Sequence, residues 1–128
     1  MRYNKHIDSN KQERNMKLIT AIILSVTAIT AQAETKIPSG AGDKGTYFIM
    51  SNQVIQGRNL VVSRREGPSG TSFAAREINC RTETFRYVAE GDTVDAMKKN
   101  VTTRVQDMSM APITYGSASY YIVKAACK

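Results

Sequence analysis

The apolar positions of this chain fall into three kinds of run, and each predicts a different element. The first is continuous: Leu18 to Ile29 follows Met16-Lys17 and precedes Ala31-Gln32-Ala33. At about a dozen residues it falls short of the roughly 20 a membrane-spanning helix needs. A basic start, a short apolar stretch and a small-x-small ending describe a secretory signal peptide cut after Ala33. Residues 1–33 are therefore expected to be removed, and no transmembrane segment is expected in what remains. Met1–Asn15 is polar and without period, either an extension ahead of a start at Met16 or a long leading region of the signal.

The second kind of run is short, with β-branched and aromatic content. Glu34–Gly45 precedes these runs; with Pro38, Gly40, Gly42 and Gly45 and no apolar pattern it reads as a flexible lead-in. Thr46–Met50 predicts a strand, broken by Ser51-Asn52-Gln53 before Val54-Ile55. Gly57-Arg58-Asn59 predicts a turn, and Leu60–Glu66 a second strand. Gly67-Pro68-Ser69-Gly70 predicts a hairpin, because proline pre-sets one φ and glycine tolerates a positive one. Ser72–Cys80 alternates, with Ala74, Ile78 and Cys80 on one side and Glu77 and Asn79 on the other. After a turn at Arg81–Thr84, a fourth strand places Phe85, Tyr87 and Ala89 opposite Arg86, Val88 and Glu90. A four-residue loop would set Cys80 beside Phe85 and Ile78 beside Tyr87. That shared apolar face needs a cover.

The third kind of run has helical spacing. Val94, Met97, Val101, Val105 and Met108 recur at that interval behind a cap at Asp92 or Thr93. Val101–Val105 also suits a strand by propensity. The expectation is a helical turn over Thr93–Lys99 and then a strand. Ala111-Pro112-Ile113 should be extended, given the restriction proline places on its predecessor. Ser117 is a good N-cap for a helix from Ala118 to about Cys127, with Tyr120, Val123 and Cys127 on one stripe and Lys124 outside it. Ten residues span only about 15 Å, too short to be stable alone. The predicted fold class is α+β: over residues 46–128, a small antiparallel β-sheet meander with a C-terminal α-helix packed on one face.

Export changes what the two cysteines, Cys80 and Cys127, mean. A chain of about 95 residues after cleavage hides only about two-thirds of its unfolded surface, and covalent braces are common in exported domains of that size. The pair lies 47 positions apart in the sequence, far from the Cys-x-x-Cys spacing of redox sites. A structural disulfide is expected.

Candidate chemistry is thin. The one histidine, His6, precedes the predicted cleavage site, so the processed chain would hold neither a Ser-His or Cys-His pair nor a histidine metal ligand. Glu90, Asp92 and Asp95 lie close together but lack the regular oxygen spacing and inner glycine of a calcium loop. No catalytic residue, cofactor or metal is expected, and the chain is read as a binding protein and not an enzyme. Of 18 Lys/Arg and 11 Asp/Glu, five and two fall within residues 1–33, leaving a net +4. With an export signal, that modest charge speaks against nucleic acid. Six arginines, Arg58, Arg64, Arg65, Arg76, Arg81 and Arg86, crowd the predicted sheet. They are either solvated strand residues paired with Glu66, Glu77, Glu83 and Glu90, or a surface for a protein or an anionic polysaccharide. At the hairpin, Arg64 and Arg65 beside Phe73 combine forked cations with an aromatic anchor, a pairing suited to partner contact. Lys128, which joins an ammonium to the terminal carboxylate, is the second candidate for that contact.

Arg76-Glu77-Ile78-Asn79-Cys80, then Phe85-Arg86-Tyr87, then Ala111-Pro112-Ile113-Thr114-Tyr115-Gly116-Ser117, and finally Ala126-Cys127 resemble the surface-adhesin protein E family over about Gly45–Lys128. The two cysteines, Arg86 and Gly116-Ser117 carry most of the likeness. The resemblance implies a small antiparallel sheet with a C-terminal helix, and adhesin-like binding of host or envelope macromolecules. This sequence departs from the family in two ways. The tryptophan before the final helix is absent, with Met110 near its place, and no cysteine stands at the cleavage site to carry a lipid. The expected location is therefore periplasmic or secreted. The alternative function is a periplasmic inhibitor or immunity-type protein that covers another protein's active site.

Overall fold

The computed structural model describes residues 33–101 and 109–128. The segment up to residue 32, where a signal peptide is expected, and the strand expected beyond Val101 lie outside the described residues. In chain order the elements are β1 (Thr35–Ile37), β2 (Thr46–Ile55), β3 (Arg58–Gly67), β4 (Gly70–Asn79), β5 (Thr84–Gly91), α1 (Val94–Lys99), β6 (Ala111–Pro112) and α2 (Ala118–Ala126). The six strands form one antiparallel sheet in sequence order. The α+β meander closed by a C-terminal helix is the architecture the sequence predicts.

Two tight turns set the register. Gly67 pairs with Gly70 around Pro68-Ser69, at the predicted hairpin, and Gly70 takes a positive φ of 116°. Ile55 pairs with Arg58 around Gln56-Gly57, both at positive φ, one residue earlier than the glycine-led turn expected there. Two positive φ values in a two-residue loop match the right-handed twist of the strands on either side.

β3 is the central strand. Leu60, Val61, Val62 and Ser63 are all buried, so both of its faces are covered. On one face α2 lays Ile122, Val123 and Ala126 against Ile37, Tyr47, Val61 and Ile78. On the other, Met97 of α1 packs with Leu60, Val62, Ala75, Val88 and Ala89. Thr93 caps α1, accepting from the Ala96 N–H, and Ser117 caps α2, accepting from the Tyr120 N–H. Both helices begin where side-chain oxygens satisfy otherwise orphaned donors.

The structure corrects several expectations. The lead-in 34–45 is not a flexible tail throughout: Thr35–Ile37 forms an edge strand, because Ile37 reaches the α2 core and is 5% exposed. Ser51-Asn52-Gln53 does not end a strand. β2 runs through it with a register shift between Ile49 and Ser51, and Asn52 donates to the Ala126 carbonyl of α2 at 3.1 Å. Between β4 and β5 the pairing is Ile78 with Phe85 and Arg76 with Tyr87, two positions from the expected register, because the strands already separate at Asn79 and Thr84. A further shift, between the Ala75–Ala89 and Arg76–Tyr87 pairs, leaves Val88 as an extra residue on β5. That β-bulge moves Ala89 to the α1 face, away from Phe85 and Tyr87. The stripe of α2 is Ser119, Ile122, Val123 and Ala126, while Tyr120 meets the exposed Tyr115, the two rings tilted by 59° with centroids 4.9 Å apart. The sheet face opposite α2 carries α1.

Cys80 and Cys127 form the predicted disulfide, with Cα atoms 5.4 Å apart, which ties the end of β4 to the end of α2.

Candidate functional site

α2 is shorter than the strands beneath it, so part of its sheet face stays uncovered beyond the helix N-terminus. A cleft of about 360 Å³ opens there. Tyr47, Ser63, Arg65, Ser72, Arg76 and Tyr87 furnish its polar lining, and Glu90 and Asp92 stand at its β5 end.

Arg76 is the unusual member. It sits on β4 two residues before Ile78, on the strand side that faces α2, and is only 4% exposed. Its Nη1 donates to Ser63 Oγ at 2.7 Å, Nη2 to Tyr87 Oη at 3.1 Å and Nε to Ser119 Oγ at 3.3 Å. The guanidinium carbon lies 4.7 Å from the centre of the Tyr87 ring. All of these partners are neutral. Among the described residues no carboxylate comes within ion-pairing distance of Arg76, although four other basic side chains have such a partner. Buried charges are normally paired with an opposite charge. Three of the five N–H groups a guanidinium carries are taken, leaving two. Of the hydroxyls that accept from Arg76, Ser63 directs its proton to the Ala74 carbonyl at 3.5 Å, while Tyr87, which lines the cleft, keeps its own to donate. Arg76 and Tyr87 together form a donor-rich pocket floor.

Arg65 is held differently. Its Nη2 donates to Asp43 Oδ1 at 2.8 Å, and the Tyr47 hydroxyl donates to Asp43 Oδ2 at 2.7 Å. The Gly45 N–H also donates to Asp43, at 2.7 Å. These hydrogen bonds, from Tyr47, Arg65 and Gly45 in that order of weight, hold the Asp43 carboxyl down at about 2. Burial, and then the Asp43 carboxylate, push the Tyr47 phenol up. The Arg65 guanidinium lies across Gly45 and Gly67, where a Cβ on either would come within 2.5 Å of it. Two glycines facing each other across the β2–β3 edge make the room it occupies.

The residues predicted to contact a partner are separated by the pleat. Arg64 lies on the α1 face, paired across the strands with Phe73, over the Phe48 ring at 4.2 Å and ion-paired with Glu34 and Glu66. Arg65 lies on the α2 face. Phe73 packs against the α1 core and borders the cleft. Lys128 is exposed, next to the disulfide at the far end of α2. In the sequence Arg76 is one arginine of six on the predicted sheet. Its signal is visible, however: strand alternation puts it on the same side as Ala74 and Ile78, an arginine where an apolar residue belongs.

Among the described residues no group of three or more His, Cys, Asp or Glu side chains is placed to hold a metal ion, and no helix is long and apolar enough to cross a membrane. No protein-family model, curated protein or solved structure matches the chain.

Proposed function

We propose that this chain is an exported, non-enzymatic binding protein, adhesin-like in holding a host or envelope macromolecule through its α2-side cleft. The observation that carries the reading is the buried Arg76 guanidinium, which lines an open cleft with neutral partners only. Tyrosine and arginine are the residue types most enriched where binding energy concentrates, and Tyr47, Tyr87, Arg65 and Arg76 converge on this cleft. The disulfide and the signal-like N-terminus support residence in an oxidising compartment.

The test is capture from envelope extract and from host matrix components on the immobilised, oxidised protein. A specific partner should be retained by the native protein and lost when Tyr87→Ala empties one wall of the cleft. Retention that ignores Tyr87→Ala would place binding elsewhere. Turnover in a broad hydrolase screen, abolished by one carboxylate substitution, would replace the reading with an enzyme.

A further inference from the structure

The charge distribution around the cleft narrows its ligand. At the floor, Arg76 offers two N–H groups without an acceptor among the described residues, and the Tyr87 hydroxyl beside it can donate a further hydrogen bond. A planar carboxylate matches such a floor, since it accepts two parallel N–H bonds from one guanidinium and takes further hydroxyl donors on its remaining lone pairs. The second guanidinium of the cleft, Arg65, is already neutralised by Asp43. At the β5 end of the same cleft Glu90 and Asp92 supply two negative charges, both exposed. They form no ion pair with any described residue.

An anion of high charge would meet those two carboxylates on its way to Arg76, the one cation of the described lining without a carboxylate partner. Phosphate, sulfate and the repeating charges of a polyanion are therefore disfavoured by like-charge repulsion. A ligand with one carboxylate and one cationic group satisfies both ends. We propose that the cleft binds a compact zwitterion, its carboxylate on Arg76 and its ammonium directed to Glu90 and Asp92. Free amino acids and amino-carboxylate chain ends of a larger partner share this chemistry. This inference deepens the binding-protein reading and rests on it.

The experiment is a titration of the purified, oxidised protein followed by amide NMR shifts, with six probes: acetate, glycine, L-lysine, Nα-acetyl-L-lysine, methylammonium and inorganic phosphate. An amino-carboxylate should perturb the amides of Ser63, Ser72, Arg76 and Tyr87 in a saturable manner, at least about tenfold more tightly than acetate or methylammonium; a tenfold ratio corresponds to about 1.4 kcal/mol. Glycine against L-lysine measures the spacing between the two charges. Nα-acetyl-L-lysine, whose carboxylate and side-chain ammonium are those of a chain-terminal lysine, against L-lysine itself tells a chain end from a free amino acid. Arg76→Gln should weaken the bound amino-carboxylate by about tenfold or more. If Arg76→Gln does not fold, the double variant Glu90→Gln/Asp92→Asn decides: it should erase the preference for the zwitterion over acetate. Phosphate binding as tightly as the amino-carboxylates would overturn the proposal. So would an unaltered preference in the double variant, or the absence of any saturable shift. If the small probes fail while a captured macromolecule still depends on Tyr87, the zwitterion is wrong and the binding reading stands. If capture fails as well, both fall.

Discussion

Glu77 and Arg86 face each other across β4 and β5 on the α1 side of the sheet, Oε2 to Nε at 2.5 Å, with side chains 4% and 11% exposed. Such a pair need not add net stability, but separating it is costly where the survivor is a charge in a poorly hydrated place. Arg86→Met, which leaves the Glu77 carboxylate buried without the Arg86 guanidinium, is predicted to destabilise the fold by about 3–5 kcal/mol. The double variant Glu77→Leu/Arg86→Met should lose less than the single one. Urea denaturation of the three proteins checks this, and a double variant as weak as Arg86→Met would refute it.

Reduction of Cys80–Cys127 releases a loop spanning 47 positions. Chain entropy alone values that closure at about 4 kcal/mol. Cys80→Ser/Cys127→Ser should lower the urea midpoint by a corresponding amount, with a larger loss of helical than of strand signal at intermediate denaturant. Intact mass before and after reduction, differing by two hydrogens, establishes the bond itself.

Asp43 gives the fold an acid-sensitive contact. Its carboxyl is held at about 2, against an ordinary 3.8, so the folded state favours the ionised form. The stabilisation is fully present above pH 3.8 and drains away as pH falls from there toward 2. Asp43→Asn should therefore flatten the stability–pH curve in that window while lowering stability at pH 7. Thermal melts from pH 6 to pH 2 would show it, and parallel curves for the two proteins would exclude the role assigned to Asp43.

Two glycines should answer differently to alanine. At Gly91 a Cβ would sit 2.5 Å from the Met97 backbone nitrogen, so α1 itself must move. At Gly45 the clash is with the far end of the flexible Arg65 side chain. Gly91→Ala is predicted to cost about 1–3 kcal/mol through overpacking. Gly45→Ala should cost less, but it should push Arg65 off Asp43 and so raise the Asp43 pKa toward 3.8. Chemical denaturation and carboxyl titration by NMR separate the two effects.

Much of the fold is legible in the sequence, because it follows from local rules. Pro68-Ser69-Gly70 sets a hairpin, Thr93 and Ser117 are caps, and the Leu60–Val62 run marks the strand buried on both sides. What is not legible comes from the β-bulges. An inserted residue such as Val88 reverses the side on which everything after it lies, and no local propensity announces one. The α1 face follows from the same blindness: Met97 is a weak apolar signal until Gly91 lets the helix approach. The cleft is half visible, since alternation places Arg76 inward, yet whether a buried cation has a counter-charge depends on residues distant in sequence. Arg64 and Arg65 show the reverse failure: as neighbours in the chain they read as one patch, and the pleat sends them to opposite sides.

The bond between Cys80 and Cys127 encloses β5, α1, β6 and α2 in a single loop. It cannot close natively until all four have emerged and α2 has docked on the sheet, which makes it a late event and a faithful timer of assembly. Trapping free thiols during refolding would count the molecules that are not yet complete. A folding catalyst acting on this chain would have to wait for its final helix.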